Sequence, residues 1–240
     1  MQMFWQDWSQ ELKAVLELKG SPVALAYASE PAPHPTREGR LWVCRALKAA
    51  REGEVINLTA ETSGCPGGSS YLGLRELPRE HLDTVADFLI HGEKLMASLD
   101  VFYRARSHGA PPPAGLAKVV VICPLEKAEV APQLVIFFCT PLQASRLVTL
   151  VNFEVGEPID VRLSGSTCST TITTPLYTGK VNLSLVDTTS RHICHYDPQE
   201  LLVTVPMHLM HGVMRSLDRC SAGRAPIEWP ERMATLMKGD

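Results

Sequence analysis

The longest uninterrupted apolar runs in this chain, such as residues 119–123 and 134–139, are only as long as a β-strand. A membrane-spanning helix needs roughly 20 consecutive apolar residues, so no stretch reads as a span. Strand-like runs recur at 22–28, 55–60, 118–123, 134–140, 159–163, 181–186 and 201–205. Between them lie stripes with helical period. The first stripe is Trp5, Trp8, Leu12, Val15 and Leu16, an amphipathic helix whose tryptophans are expected to pack on their own domain. Helices are predicted at 40–51 with Gly53 as C-cap, at 81–91 on Leu82, Val85, Phe88 and Leu89, and at 95–106 on Leu95, Leu99, Phe102 and Tyr103. Two more follow, at 142–155 behind Pro141 and at 207–220 on Met207, Met210, Met214 and Leu217. Strands and helices alternate without a strict βαβ rhythm, which predicts a mixed α/β (α+β) fold: a mixed β-sheet with flanking helices. Residues 29–39 read as a loop. Three consecutive prolines make 107–117 a lobe boundary within a single domain, 1–240, with a cleft between the lobes.

Composition narrows the function. The chain has 23 Lys+Arg against 26 Asp+Glu, a net charge of −3, and so no cationic surplus to neutralise nucleic-acid phosphates. Its 45% hydrophobic content excludes a disordered chain. The first residues lack a basic leader followed by an apolar run, so the expectation is a soluble, cytoplasmic protein that does not enter a membrane. Cysteines stand at 44, 65, 123, 139, 168, 194 and 220, an odd set without a C-x-x-C pair. Neither a disulfide framework nor a zinc knuckle is expected from such spacing. The glycine-rich nucleotide loops and the nucleophile elbow of α/β-hydrolases are also missing from the sequence.

Three segments carry the chemistry. In Ser63-Gly64-Cys65-Pro66-Gly67-Gly68-Ser69 the proline marks a helix start, which places Cys65 at the N-cap. A thiol there faces unpaired amides and the positive helix end, which favours the thiolate, and Gly67 and Gly68 allow a bulky cofactor close approach. In 165–171 every residue after Gly165 bears a hydroxyl or a thiol, a setting that hydrogen-bonds the sulfur of Cys168. Cys44 lies on the helix 40–51. Cys123 and Cys139 end apolar strands and read as inert buried thiols. Cys194, crowded in His192-Ile193-Cys194-His195, and Cys220 read as structural. His208 and His211 share a helix face but lack the glutamate of a zincin motif.

The order Leu18-Lys19-Gly20-Ser21-Pro22-Val23-Ala24, Cys44, Cys65-Pro66-Gly67-Gly68 and Leu72-Gly73-Leu74 resembles domain-of-unknown-function family 169. The likeness continues through Pro141-Leu142-Gln143-Ala144, Cys168 before its threonines, Arg191, Glu200 and Pro206, from roughly residue 12 to 215. The resemblance implies a family of archaea and bacteria, many of them anaerobes, whose motif cysteines correspond to Cys44, Cys65 and Cys168. Members often have glycine or cysteine where this chain has Thr188-Thr189-Ser190. Three cysteines in three motifs suggest one shared centre: a [4Fe–4S] cluster on Cys44, Cys65 and Cys168 with an open iron, or zinc as the competing metal. Electron transfer with a redox partner, or binding of a small-molecule ligand, would follow. Two alternatives stand beside it. One is a cysteine-dependent enzyme with Cys65 as low-pKa nucleophile and Arg191 or a histidine holding an anionic substrate. The other is a non-catalytic ligand-binding module.

Overall fold

The structure, a computed structural model, describes residues 2–33, 39–230 and 233; residues 34–38 of the predicted loop lie outside the described ones. In chain order the elements are α1 (Gln2–Leu16), β1 (Val23–Ala28), α2 (Val43–Arg51), β2 (Ile56–Leu58), α3 (Pro66–Tyr71), α4 (Arg79–Asp87) and α5 (Leu99–His108). They continue with β3 (Val119–Pro124), β4 (Leu134–Cys139), α6 (Pro141–Asn152), α7 (Thr174–Thr178), β5 (Asn182–Ser184), α8 (Thr188–Cys194), β6 (Leu201–Pro206) and α9 (Met207–Ser216). Short π-helical turns cover Phe88–Gly92 and Ser169–Thr173.

The six strands form one sheet in the order β2-β3-β1-β4-β6-β5. The mixed α+β class is what folds, and every pairing between the named strands is antiparallel. β1, from before the proline loop, lies between β3 and β4 from after it, so both halves of the chain share one sheet.

Alternate residues of each central strand enter two different cores. Val121, Cys123, Val135, Phe137, Cys139 and Val203 face α1, α6 and α9, with Trp5, Trp8 and Leu12 among the buried residues there. Val120, Ile122, Leu134, Ile136, Phe138 and Leu202 face α2 and the segments around α3 and α8. A strand buried on both sides needs no polar alternation, which is why 119–123 and 134–139 are continuously apolar. α6 starts where Thr140 and Gln143 close a capping box ahead of Pro141.

Several expectations change. No strand forms at 159–163; instead Arg162 N–H donates to Asn182 Oδ1 at 2.8 Å and Asn182 returns a bond to Arg162 O at 3.1 Å, a side chain replacing a ladder. Of α4 only Ala86 is buried and Phe88 is exposed, so the stripe at 81–91 is not a core face; of the stripe at 95–106, Phe102 is buried as expected while Leu95 and Leu99 are exposed. Helix α2 begins at Val43 rather than 40, because Leu41 N–H bonds Thr62 O and Leu41 O accepts from Gly64, making an extended parallel bridge with Ser63. The threonine-rich stretch after Cys168 is helical, as is 188–194. No helix among the described residues is long and apolar enough to cross a membrane.

Burial on β4 sets a measurable contrast. Phe137→Ala should lower unfolding free energy by about 3–5 kcal/mol, whereas Leu142→Ala, at a position 72% exposed on α6, should change it by less than about 0.5 kcal/mol. Urea unfolding followed by circular dichroism checks both values, and equal losses would refute the assignment of the core.

Candidate functional site

The seven cysteines divide between the two faces of the sheet. Cys123, Cys139 and Cys220 belong to the core under α1, α6 and α9. Burial pushes the Cys123 and Cys139 thiols up to about 12, which keeps them protonated and inert. Cys44, Cys168 and Cys194 belong to the opposite core. Cys65 joins them there through its helix, since Val43 packs on Gly68.

Cys44 and Cys65 are brought together by their flanking backbone. After the Leu41–Ser63 bridge each of the two segments enters a helix, one at Val43 and the other at Pro66. Cys65 is the N-cap of α3, as the Cys-Pro dipeptide predicts, and its Sγ accepts from Gly68 N–H at 3.3 Å. A Cβ on Gly68 would lie 2.6 Å from Val43 Cγ2, so that glycine serves the packing of α3 on α2. Around Gly67 the nearest neighbour of such an atom would be Cys65 Sγ at 3.9 Å.

Cys168 is fixed through Asp187. Thr167 N–H donates to Asp187 Oδ2 at 2.8 Å, and Asp187 N–H donates to Thr167 Oγ1 at 2.7 Å. The other carboxylate oxygen caps α8 by accepting from Ser190 N–H at 2.7 Å. One carboxylate thereby joins the Cys168 segment to the helix that ends in Cys194. The π-helical turn after Cys168 sits on the sheet edge, with Thr170 Oγ1 bonded to Ser184 Oγ at 2.7 Å and Thr204 Oγ1 donating to Thr171 O at 2.8 Å. Such turns are frequent at functional sites because they displace a side chain from regular helical register.

The electrostatics record the same grouping. Desolvation raises the Cys168 thiol well above its ordinary range, and Cys65, Cys44 and Asp187 raise it further. Cys65 is also raised: desolvation outweighs the amides of Gly68 and Gly67, and Cys44 adds to it. The expectation of a low-pKa thiolate at Cys65 is therefore reversed, because a six-residue helix offers few amides and the half-buried sulfur has lost water. Cys44 and Cys194 act on one another: the Cys44 thiol is raised, by Cys194 first and by burial, and the Cys194 thiol is lowered, by Cys44 first and by Arg45 and Lys48.

Other sequence-stressed groups have structural work. Arg191 donates to the carbonyls of Asp197, Leu185 and Glu200 at 2.8, 2.7 and 2.6 Å, which spends its guanidinium on three backbone segments rather than on an anionic substrate. His211 stacks edge-on against Trp8 at 4.8 Å between centroids. Shallow hollows occur over the outer face of α8, lined by Arg191, His192 and His195, and beside Glu61 and Gly115 near the proline loop; no cysteine lines either.

The donor set is soft. Asp187, the carboxylate among these thiols, is held by backbone amides, leaving sulfur as the ligand type that suits iron–sulfur clusters or zinc. Ser69 and Thr171, one turn beyond Cys65 and Cys168 on their own segments, carry buried hydroxyls that find no partner among the described residues. The thiolates of a sulfur-rich centre would accept bonds from such donors. As the side chains stand, no three His, Cys, Asp or Glu among the described residues have their donor atoms gathered at metal-binding distance.

The family model of DUF169, described as uncharacterised ArCR, matches residues 11–216. An uncharacterised protein of Methanocaldococcus jannaschii is 24% identical over 207 residues, which span 82% of this chain and 85% of the relative. No solved structure matches.

Two measurements test this account of the thiols. Alkylation of Cys65 by iodoacetamide near neutral pH should run slower than that of free cysteine and keep rising through about pH 9, because a raised pKa depletes the thiolate; a rate that saturates near neutrality would refute it. Asp187→Ala should cost about 2 kcal/mol in urea unfolding, since it strands Thr167 N–H and Ser190 N–H. An unchanged midpoint would show that the clamp is idle.

Proposed function

The chain belongs to the DUF169 family, and from that premise we propose that it is a thiolate-ligated metalloprotein in which Cys44, Cys65 and Cys168 hold a [4Fe–4S] cluster, with zinc as the competing metal. The observation that carries the reading is the coupling of these three thiols, each from a different motif, on one face of the sheet. Desolvation and mutual repulsion disfavour the thiolate form of Cys65 and Cys168, and a metal cation that displaces the protons would supply the charge that lets thiolates persist in this buried setting. When bound, a cluster of this type supplies one-electron transfer or, at an iron without a protein ligand, a Lewis-acid site for a small molecule.

The chain's own residues would do the positioning. Gly68 N–H holds the Cys65 sulfur, the Leu41–Ser63 bridge fixes the spacing of Cys65 from Cys44, and the Asp187 clamp fixes Cys168. Apolar neighbours Val43, Leu72 and Ile172 exclude water from the surrounding core. The nucleophile reading loses its support with the raised Cys65 thiol and the engaged Arg191.

Anaerobic reconstitution with iron and sulfide, followed by iron and acid-labile sulfide assay, tests the proposal. The expected result is about four of each per chain, falling to a small fraction in Cys44→Ser, Cys65→Ser and Cys168→Ser. Zinc at about one per chain in the protein as purified would select the competing metal. A protein that takes up neither metal would overturn the reading.

A further inference from the structure

We infer, resting on the thiolate-centre reading above, that Cys194 is the fourth sulfur of the site, so that the chain closes the centre with Cys44, Cys65, Cys168 and Cys194. This assignment makes it an electron-transfer or structural centre rather than one with an open iron for a small molecule.

The backbone geometry ties Cys194 to Cys44 from both sides. Lys48 Nζ on α2 donates to Cys194 O at 2.9 Å and His195 O at 3.2 Å, and Arg45 donates to Ile193 O at 3.3 Å. In return Tyr196 OH, just past α8, donates to Cys44 O at 2.5 Å. His195 adopts a left-handed conformation, φ 51°, which ends α8 directly after Cys194. Cys194 is buried in the same core as Cys44, with Cys168 packed against it. At the other end of α8 Asp187 carries Cys168. A helix of seven residues thus joins the segments of three of the four cysteines.

Charge agrees with geometry. Four thiolates around a cluster or a zinc ion leave net negative charge, and Arg45 and Lys48 are the cations whose side chains reach the end of α8 that carries Cys194. The remaining cysteines, Cys123, Cys139 and Cys220, lie across the sheet and cannot contribute.

Wild-type protein, Cys194→Ala, Cys194→Ser and the control Cys220→Ser would be reconstituted anaerobically with iron and sulfide and then oxidised mildly with ferricyanide. Circular dichroism and thermal melting before loading establish that each variant is folded. The wild type and Cys220→Ser should keep their cluster, whereas Cys194→Ala should lose about one iron in four and show the [3Fe–4S]+ electron paramagnetic resonance signal, one electron passing to ferricyanide as Fe2+ leaves. In parallel, cobalt(II) alone serves as the probe for a zinc-type site: the thiolate-to-cobalt absorption should fall by about a quarter in Cys194→Ser. Wild-type protein that binds iron or cobalt while both Cys194 variants match it would overturn this assignment and leave the three-thiol centre standing. Wild-type protein that binds neither would overturn both.

Discussion

Burial of both faces of the central strands is the constraint on which the rest of the structure depends. β3, β1 and β4 carry apolar side chains on every residue, so each face of the sheet must be covered by helices. One face receives α1, α6 and α9, and its core holds Phe137, the largest fully buried side chain, together with Leu12 and Leu147. The other receives α2 and a set of short, irregular segments. The thiols are divided between the two layers: Cys123, Cys139 and Cys220 lie on the first, Cys44, Cys168 and Cys194 on the second.

Short elements suit the second layer because each delivers one functional end. α2 contributes Cys44 in its first turn, α3 contributes its N-cap, the π-helical turn contributes the residue before it, and α8 contributes its last residue. Helix ends have free backbone groups, and here side chains satisfy many of them. Lys48 and Arg45 take the carbonyls at the end of α8, and Asp187 takes an amide at its start. The Arg51–Glu200 ion pair, buried with its closest contact at 2.7 Å, and the placement of Arg51 over Phe138 at 5.0 Å lock the far end of α2 to the sheet.

Much of this was legible in residues alone. The strands from 119 and 134 show as unbroken apolar runs, α6 by Thr140-Pro141 and Gln143, and the N-cap role of Cys65 by the proline after it. The helical stretch after Cys168 was hidden because its threonines are β-branched and favour strands; contact with β5 and β6 overrides that preference. α8 did offer a signal, Asp187 as N-cap, directly after the strand predicted at 181–186. The place of Cys194 left no trace in spacing, since its proximity to Cys44 comes from packing between distant helices. The acidity of Cys65 was misjudged because local capping is visible in a sequence and desolvation is not.

The strand order also dictates a timetable. β1 is synthesised early, yet both of its neighbours, β3 and β4, come from after the proline loop. During translation its apolar edges therefore wait unpaired while the ribosome completes nearly a hundred further residues before β3 begins. The thiol-bearing layer waits longer still, because Cys194 arrives only after β5. A growing chain of this topology exposes an apolar strand first and brings the thiols of its second layer together last.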